Sequence, residues 1–284
     1  MIIEETIKKA SKTLKDSSIR THELDAQIIL SDIMKIKREN LILDNKINIS
    51  QKNVNIFEAA IRRRAKKEPV AYITGKKEFW SENFIVNKAT LIPRPETELL
   101  IYKLIDLFKN KRIDILDIGT GSGCIILSIL KELKLARGTG IDICHKAIRM
   151  AKKNSENLNL NKRVKFKVLD LNRCNLGKYD LIVSNPPYIP SIDIKNLSKD
   201  IKNYEPLIAL HGGVDGLDLI KKVIYKSSYL LKKSGLLSLE IGYRQYQKVN
   251  YILKKHGYRE ISKEYDYKRN VRCILSTKVN FFKI

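Results

Sequence analysis

The sequence predicts an α/β protein: a sheet of parallel strands with helices on both faces, preceded by a small helical bundle and a β-hairpin. Three observations carry this. Beyond residue 113 short apolar runs alternate with segments of helical period, the pattern of parallel strands joined by crossover helices. Before about residue 75 apolar residues recur only at helical spacing. Between the two lies an aromatic and β-branched stretch with a polar turn at its middle.

The first helix is drawn by Ile2, Ile3, Ile7, Ala10 and Leu14. A second opens near Thr21, a residue type that caps helix N-termini, and carries Leu24, Ile28, Ile29, Ile33 and Met34. A third runs from Ser50 through Val54, Phe57, Ile61 and Ala65, with Pro69 expected to end it. Residues 77–86 read as the hairpin. Pro93 and Pro95 keep residues 91–98 extended until a helix begins near Glu98. Strands follow at 113–118, 138–143, 164–168, 179–184, 236–241 and 271–277, with helices at 124–135, 146–157, 218–231 and 245–256. The expected division is a helical bundle over 1–75, a hairpin and linker over 76–97, and an α/β domain over 98–284.

Composition removes several function classes. The chain has no apolar run of the roughly 18 residues a membrane helix needs. Its first residues mix acids with apolar side chains, unlike a secretion signal, so a cytoplasmic protein is expected. Cys124, Cys144, Cys174 and Cys273 form no C-x-x-C pair, and His22, His145, His211 and His256 make no ligand cluster, so no metal is expected. The net charge of +24 invites a nucleic-acid reading. The charge is spread, however, with about +6 in residues 1–88 and about +18 in the remainder, which suits compositional drift. The densest basic cluster, residues 62–67, is expected on the solvated face of a helix.

Two stretches carry chemistry. The first is Ile113-Asp-Ile-Leu-Asp-Ile-Gly-Thr-Gly-Ser-Gly-Cys124, a strand, a glycine turn and a helix start. Gly119, Thr120, Gly121, Ser122 and Gly123 let backbone approach a ligand closely, and the helix N-terminus offers it free N–H groups. The third glycine comes one place too early for a dinucleotide fingerprint. The shorter loop suits a nucleoside with a small charged tail. Asp142, at the end of the next strand, is placed to accept ribose hydroxyls. Asp170, after the third strand, could reach an adenine amino group, and Leu171 would wall the ring.

The second stretch is Asn185-Pro186-Pro187-Tyr188, after the fourth strand and so at the same sheet edge. An amide nitrogen is a poor nucleophile because its lone pair is delocalised. Two acceptors aimed at its two N–H bonds would orient it and draw it toward tetrahedral character. The Asn185 side-chain oxygen is one and the Pro186 carbonyl the other, with Pro187 fixing the backbone. The Tyr188 ring is expected to lie against the flat acceptor as a lid.

Together these stretches resemble one family, the bacterial release-factor glutamine methyltransferases of HemK/PrmC type, over nearly the whole chain. The most specific resemblance lies in Ala71-Tyr-Ile-Thr-Gly75, Glu78-Phe-Trp80 and Leu91-Ile-Pro-Arg-Pro-Glu-Thr-Glu98. Glu205-Pro-Leu-Ile-Ala-Leu210, Asp215-Gly-Leu217, Glu240-Ile-Gly-Tyr-Arg-Gln245 and the Asp266 to Arg272 spacing also fit. The resemblance implies a Rossmann-like class I methyltransferase sheet with S-adenosylmethionine as donor. It implies as acceptor the glutamine amide of the Gly-Gly-Gln loop of class 1 peptide chain release factors, docked with help from the N-terminal helices. A monomer is expected. The sequence departs from the family at Leu171, where many members have tryptophan, and at Ser81, where glycine is usual. The rival readings are an adenine-N6 or other nucleic-acid methyltransferase, and a non-catalytic RNA- or ribosome-binding protein that keeps the fold.

Overall fold

The structure, a computed structural model, describes residues 2–43 and 46–279. The outer ends of the first and last expected segments, residue 1 and residues 280–284, lie outside the described residues. The chain forms two compact units: residues 1–76 with 198–204, and residues 77–197 with 205–284.

The first unit is helical: α1 (Ile3–Asp16), α2 (His22–Met34), α3 (Arg38–Leu43), α4 (Gln51–Ala65) and α5 (Val70–Thr74). Its core is Ile3, Leu14, Ile29, Leu30, Leu41 and Phe57, drawn from the apolar faces the helical period marks. Ser50 caps α4 by accepting from the Asn53 N–H. Thr21 stands at the N-cap of α2 without any side-chain capping bond. Two expectations are corrected here. Pro69 does not end α4, which stops at Ala65; it precedes α5, where a proline lacking an N–H loses nothing. The basic cluster is not simply a solvated face. Buried Arg64 donates to Asp25 at 2.7 Å, and Arg63 grips Glu68 through Nε and Nη2 at 2.8 and 2.7 Å.

The second unit begins at Lys77, one residue into the hairpin strand β1 (Lys76–Phe79), which pairs with β2 (Glu82–Ile85). Trp80 and Ser81 at its turn both have positive φ, at 51° and 58°, the geometry tight hairpins favour. Pro95 starts a 3-10 turn, Pro95–Glu98, that leads into α6 (Leu99–Phe108), so extended chain ends at Arg94 and not near Glu98. Then come β3 (Asp114–Ile118), α7 (Cys124–Glu132), β4 (Arg137–Asp142), α8 (His145–Asn157), β5 (Val164–Val168) and β6 (Tyr179–Ser184). The short α9 (Ser191–Ile194) follows, then α10 (Lys199–Tyr204), which belongs to the first unit. The chain closes with α11 (Asp218–Leu230), β7 (Leu231–Glu240), α12 (Tyr246–Lys255), β8 (Tyr258–Tyr265) and β9 (Val271–Lys278).

The seven-stranded sheet runs β5-β4-β3-β6-β7-β9-β8. Its first five strands are parallel, but β9 is antiparallel to both β7 and β8, so the purely parallel expectation fails at one edge. Sequence periodicity does not mark β8, because beyond buried Tyr258 its less exposed positions include Glu260, Ser262 and Glu264. Alternation within strands sends Ile115, Leu181 and Val183 to the core under α6, α7 and α8. Leu116 and Ile182 go to the opposite core, under α11 and α12.

Candidate active site

Register decides what meets at the sheet edge. Ile118 pairs with Ile141 on one side and Ser184 on the other, and Ser184 pairs with Leu239. One residue further along each strand therefore brings Asp142, Gly119, Asn185 and Glu240 to the same edge. The chain runs outward from β3 through β4 to β5 and resumes at β6 on the other side of β3. This reversal opens a crevice at the strand C-termini. A cavity of about 280 Å³ occupies it, lined by Gly119, Thr120, Gly121, Ser122, Asp142, Asp170, Leu171, Asn185 and Pro187 among others. Gly123, Pro186 and Tyr188 do not line it.

The glycine loop is held from below. The Gly119 and Thr120 N–H groups both donate to the Ile141 carbonyl, at 2.9 and 3.0 Å. Asp142 accepts from the Gly121 N–H at 3.0 Å and from the Cys144 N–H at 2.9 Å, one bond per carboxylate oxygen. Each oxygen keeps a lone pair for a ligand. Burial raises the Asp142 pKa, and these N–H bonds oppose the rise. Gly121 has φ +56°, and a side chain at Gly119 would meet no atom within 4 Å, so the loop forms a cradle open toward the cavity.

Below the loop lies a residue the sequence reading gave no role, Asp117. It is fully buried, takes the Thr120 hydroxyl on Oδ2 at 2.7 Å, and leaves Oδ1 with no partner among the described residues. Burial pushes its pKa up to about 7. The open glycine cradle and the acid at the next strand end, both lining the cavity, fit a ligand with a charged tail and a ribose. Asp170 caps a short 3-10 turn, Leu171–Arg173, by accepting from the Asn172 N–H at 2.8 Å, and Leu171 is buried.

The acceptor turn is set by two strands. Asn185 Nδ2 donates to the Thr97 hydroxyl at 3.2 Å. Its Oδ1 and the Pro186 carbonyl accept no hydrogen bond from the described residues. Tyr188 turns its hydroxyl to Glu240 Oε1 at 3.1 Å and packs its ring partly on the core under α11. It is thus a fixed wall of the turn, where sequence suggested a lid over the cavity. Burial and the neighbouring Glu240 carboxylate raise the Tyr188 pKa. Gln245 locks the turn: its Nε2 donates to the Tyr188 carbonyl at 2.9 Å and the Gly216 carbonyl at 3.2 Å, while its Oε1 takes the Gly242 N–H at 2.8 Å. Gly216, with φ +74°, has no room for a side chain against the Tyr188 carbonyl. Arg94 pairs with buried Glu205, which also accepts from the Ile92 N–H at 3.2 Å, and so ties residues 92–94 along the cavity rim. Thr97, Glu240 and Gln245 all lie in stretches that resemble the family, but a lone carboxyl or amide at a strand end carries no signal of its partners.

The description "PrmC N-terminal domain" matches residues 5–75, and "Methyltransferase small domain" matches residues 95–201. A release factor glutamine methyltransferase from Clostridium acetobutylicum is 38% identical over 98% of this chain and 99% of its own. One from Buchnera aphidicola subsp. Schizaphis graminum is 39% identical over 98% of this chain and 100% of its own. The chain belongs to the release factor glutamine methyltransferase family. A bifunctional methyltransferase of Rickettsia typhi shares 37% identity over 87% of this chain and 51% of its own length. The crystal structure of a methyltransferase from Pyrococcus furiosus, 17% identical, has the same fold at a TM-score of 0.55, with 77% of this chain and 99% of that one covered. Among the described residues no helix is long and apolar enough to cross a membrane. No group of His, Cys, Asp and Glu among them could hold a metal.

Proposed function

We propose that this member of the family transfers a methyl group from S-adenosylmethionine to the side-chain amide nitrogen (N5) of the glutamine in the Gly-Gly-Gln motif of class 1 peptide chain release factors. The observation that carries this is the pair of unoccupied acceptors, Asn185 Oδ1 and the Pro186 carbonyl, at the edge of a nucleoside-sized cavity. The donor, when bound, supplies an electrophilic methyl group on a sulfonium sulfur. Asp142 would hold the ribose hydroxyls, the cradle from Gly119 to Gly123 the charged tail, and Asp170 and Leu171 the base. Asn185 and Pro186 then take one N–H each from the glutamine amide. That fixes its direction and polarises its nitrogen; formation of the N–C bond would break the methyl–sulfur bond, leaving its electron pair on sulfur, and the nitrogen would give one proton to water. Pro187 holds the Pro186 carbonyl in place, and Tyr188 closes one side of the turn. The helical unit of residues 1–76 would help dock the release factor. A monomer working in the cytoplasm completes this reading.

The test is to incubate the protein with methyl-labelled donor, a release factor and DNA together. Label on the release-factor glutamine is the expected result. Label in DNA would overturn the substrate, and label in neither would overturn the activity.

A further inference from the structure

We propose that Thr97 and Glu240 are positioning residues that hold the Asn185 carboxamide with its oxygen, not its nitrogen, facing the acceptor. This rests on the function proposed above and concerns how the turn is aimed. A carboxamide has nearly the same shape in its two flipped orientations, so packing cannot choose between them. Only hydrogen-bond polarity can. In the wrong flip an N–H would confront the substrate's own N–H, and the second acceptor would be lost.

The choice falls to the Thr97 hydroxyl, which lies 3.2 Å from Asn185 Nδ2. A hydroxyl has one proton. If Thr97 gave it to Asn185, the opposite flip would be favoured. It gives it instead to Glu240 Oε2, at 2.7 Å, and so offers Asn185 a lone pair alone. The other Glu240 oxygen takes the Tyr188 hydroxyl at 3.1 Å. An ionised carboxylate can only accept, so it sets the direction of every bond in the chain from Tyr188 and Thr97 to Asn185. A protonated Glu240 carries a donor on one oxygen; on Oε2 that donor points at Thr97 and reverses the bond, so the direction is no longer fixed. Glu240 and Thr97 are each 2% exposed, which keeps water from taking over either role. Glu240 does not line the cavity and acts through Thr97.

Several charged or titratable groups face Glu240. Arg272 and Cys273 stand on β9, Glu96 in the 3-10 turn, Tyr188 after β6, and Cys124 at the start of α7. Burial pushes the Glu240 pKa up to about 7, against the opposing pull of the Thr97 and Tyr188 hydroxyls and Arg272. The aiming device is therefore complete only above about neutral pH.

The experiment measures release-factor methylation and S-adenosylmethionine affinity against pH in the full chain. Thr97→Val keeps the shape and removes the hydroxyl; kcat should fall by about 10- to 100-fold with cofactor Kd within about twofold. Thr97→Ser should restore kcat to within about threefold of wild type. Wild-type kcat should fall as pH drops through about 7, and Glu240→Gln, which cannot ionise, should lose that acid limb at a lower plateau. Wild-type kcat and an unchanged acid limb in Thr97→Val would overturn the inference. So would an equal loss in Thr97→Ser, since packing would then explain both. A wild-type protein inactive on the release factor would count against the proposed substrate alone. The side-chain 15N signals of Asn185 then decide orientation: they should shift with pH near 7 in wild type and stay fixed in Thr97→Val. Equal shifts in both would overturn the inference.

Discussion

Asn185 and Asp142 sit at the ends of the two strands that flank β3 and should fail in different ways. Asn185 bonds only to Thr97 among the described residues, so replacing it removes an acceptor and little else. Asn185→Ala is expected to cut transfer by about 100-fold or more while S-adenosylmethionine affinity stays within about twofold. Isothermal titration beside a methylation assay checks both halves, and joint loss would mark the residue as structural. Asp142 instead holds the Gly121 and Cys144 N–H groups. Asp142→Ala should weaken cofactor binding by about 10- to 100-fold, since charge-assisted bonds are lost, with kcat recovered at saturating cofactor. A variant with normal affinity would remove Asp142 from the cofactor site.

The hairpin shows one element carrying local strain. Ser81 adopts φ +58°, a region that disfavours a Cβ. Ser81→Gly should stabilise the protein by about 0.5 kcal/mol, the relief of that strain less the extra freedom of an unfolded glycine. Urea midpoints measure it, and a lower midpoint would mean that the Ser81 side chain contributes to the turn. The same element illustrates what the sequence could reveal. Phe79 and Phe84 marked two strands because a hairpin with one buried face alternates, and both are buried. β8 escaped notice because Glu260, Ser262 and Glu264 interrupt its apolar positions at the sheet edge. The short α3 and α5 are too brief to display a helical period. In the site, Gly119, Asp142 and Asn185 were legible because each ends a strong strand. Thr97, in the 3-10 turn before α6, and Glu240, at the end of β7, are 143 residues apart and meet only in the folded chain, and no local pattern encodes that.

At the scale of the whole molecule, the unit of residues 77–197 and 205–284 buries two carboxyls that stay protonated unusually high. Asp117 and Glu240 are raised by burial from 3.8 and 4.5 to about 7. Between those values the folded protein binds more protons than the unfolded chain, so these groups make stability fall as pH rises. Their contribution should be complete below about pH 4 and lost by about pH 7. Denaturant unfolding of wild type and Glu240→Gln over this range isolates the second group: their difference should change through the window, and a constant difference would contradict it. Ionised Glu240 thus serves transfer at the expense of stability. The helical unit has its own distinctive trait, for it takes in residues 198–204 from far along the chain. A protease cutting after residue 76 would sever only one of three covalent links, leaving those after 197 and before 205 intact. Exchanging the first 76 residues with a relative's would likewise make a hybrid whose borrowed helices meet a foreign α10, so chimaeras that respect this seam must carry both segments together.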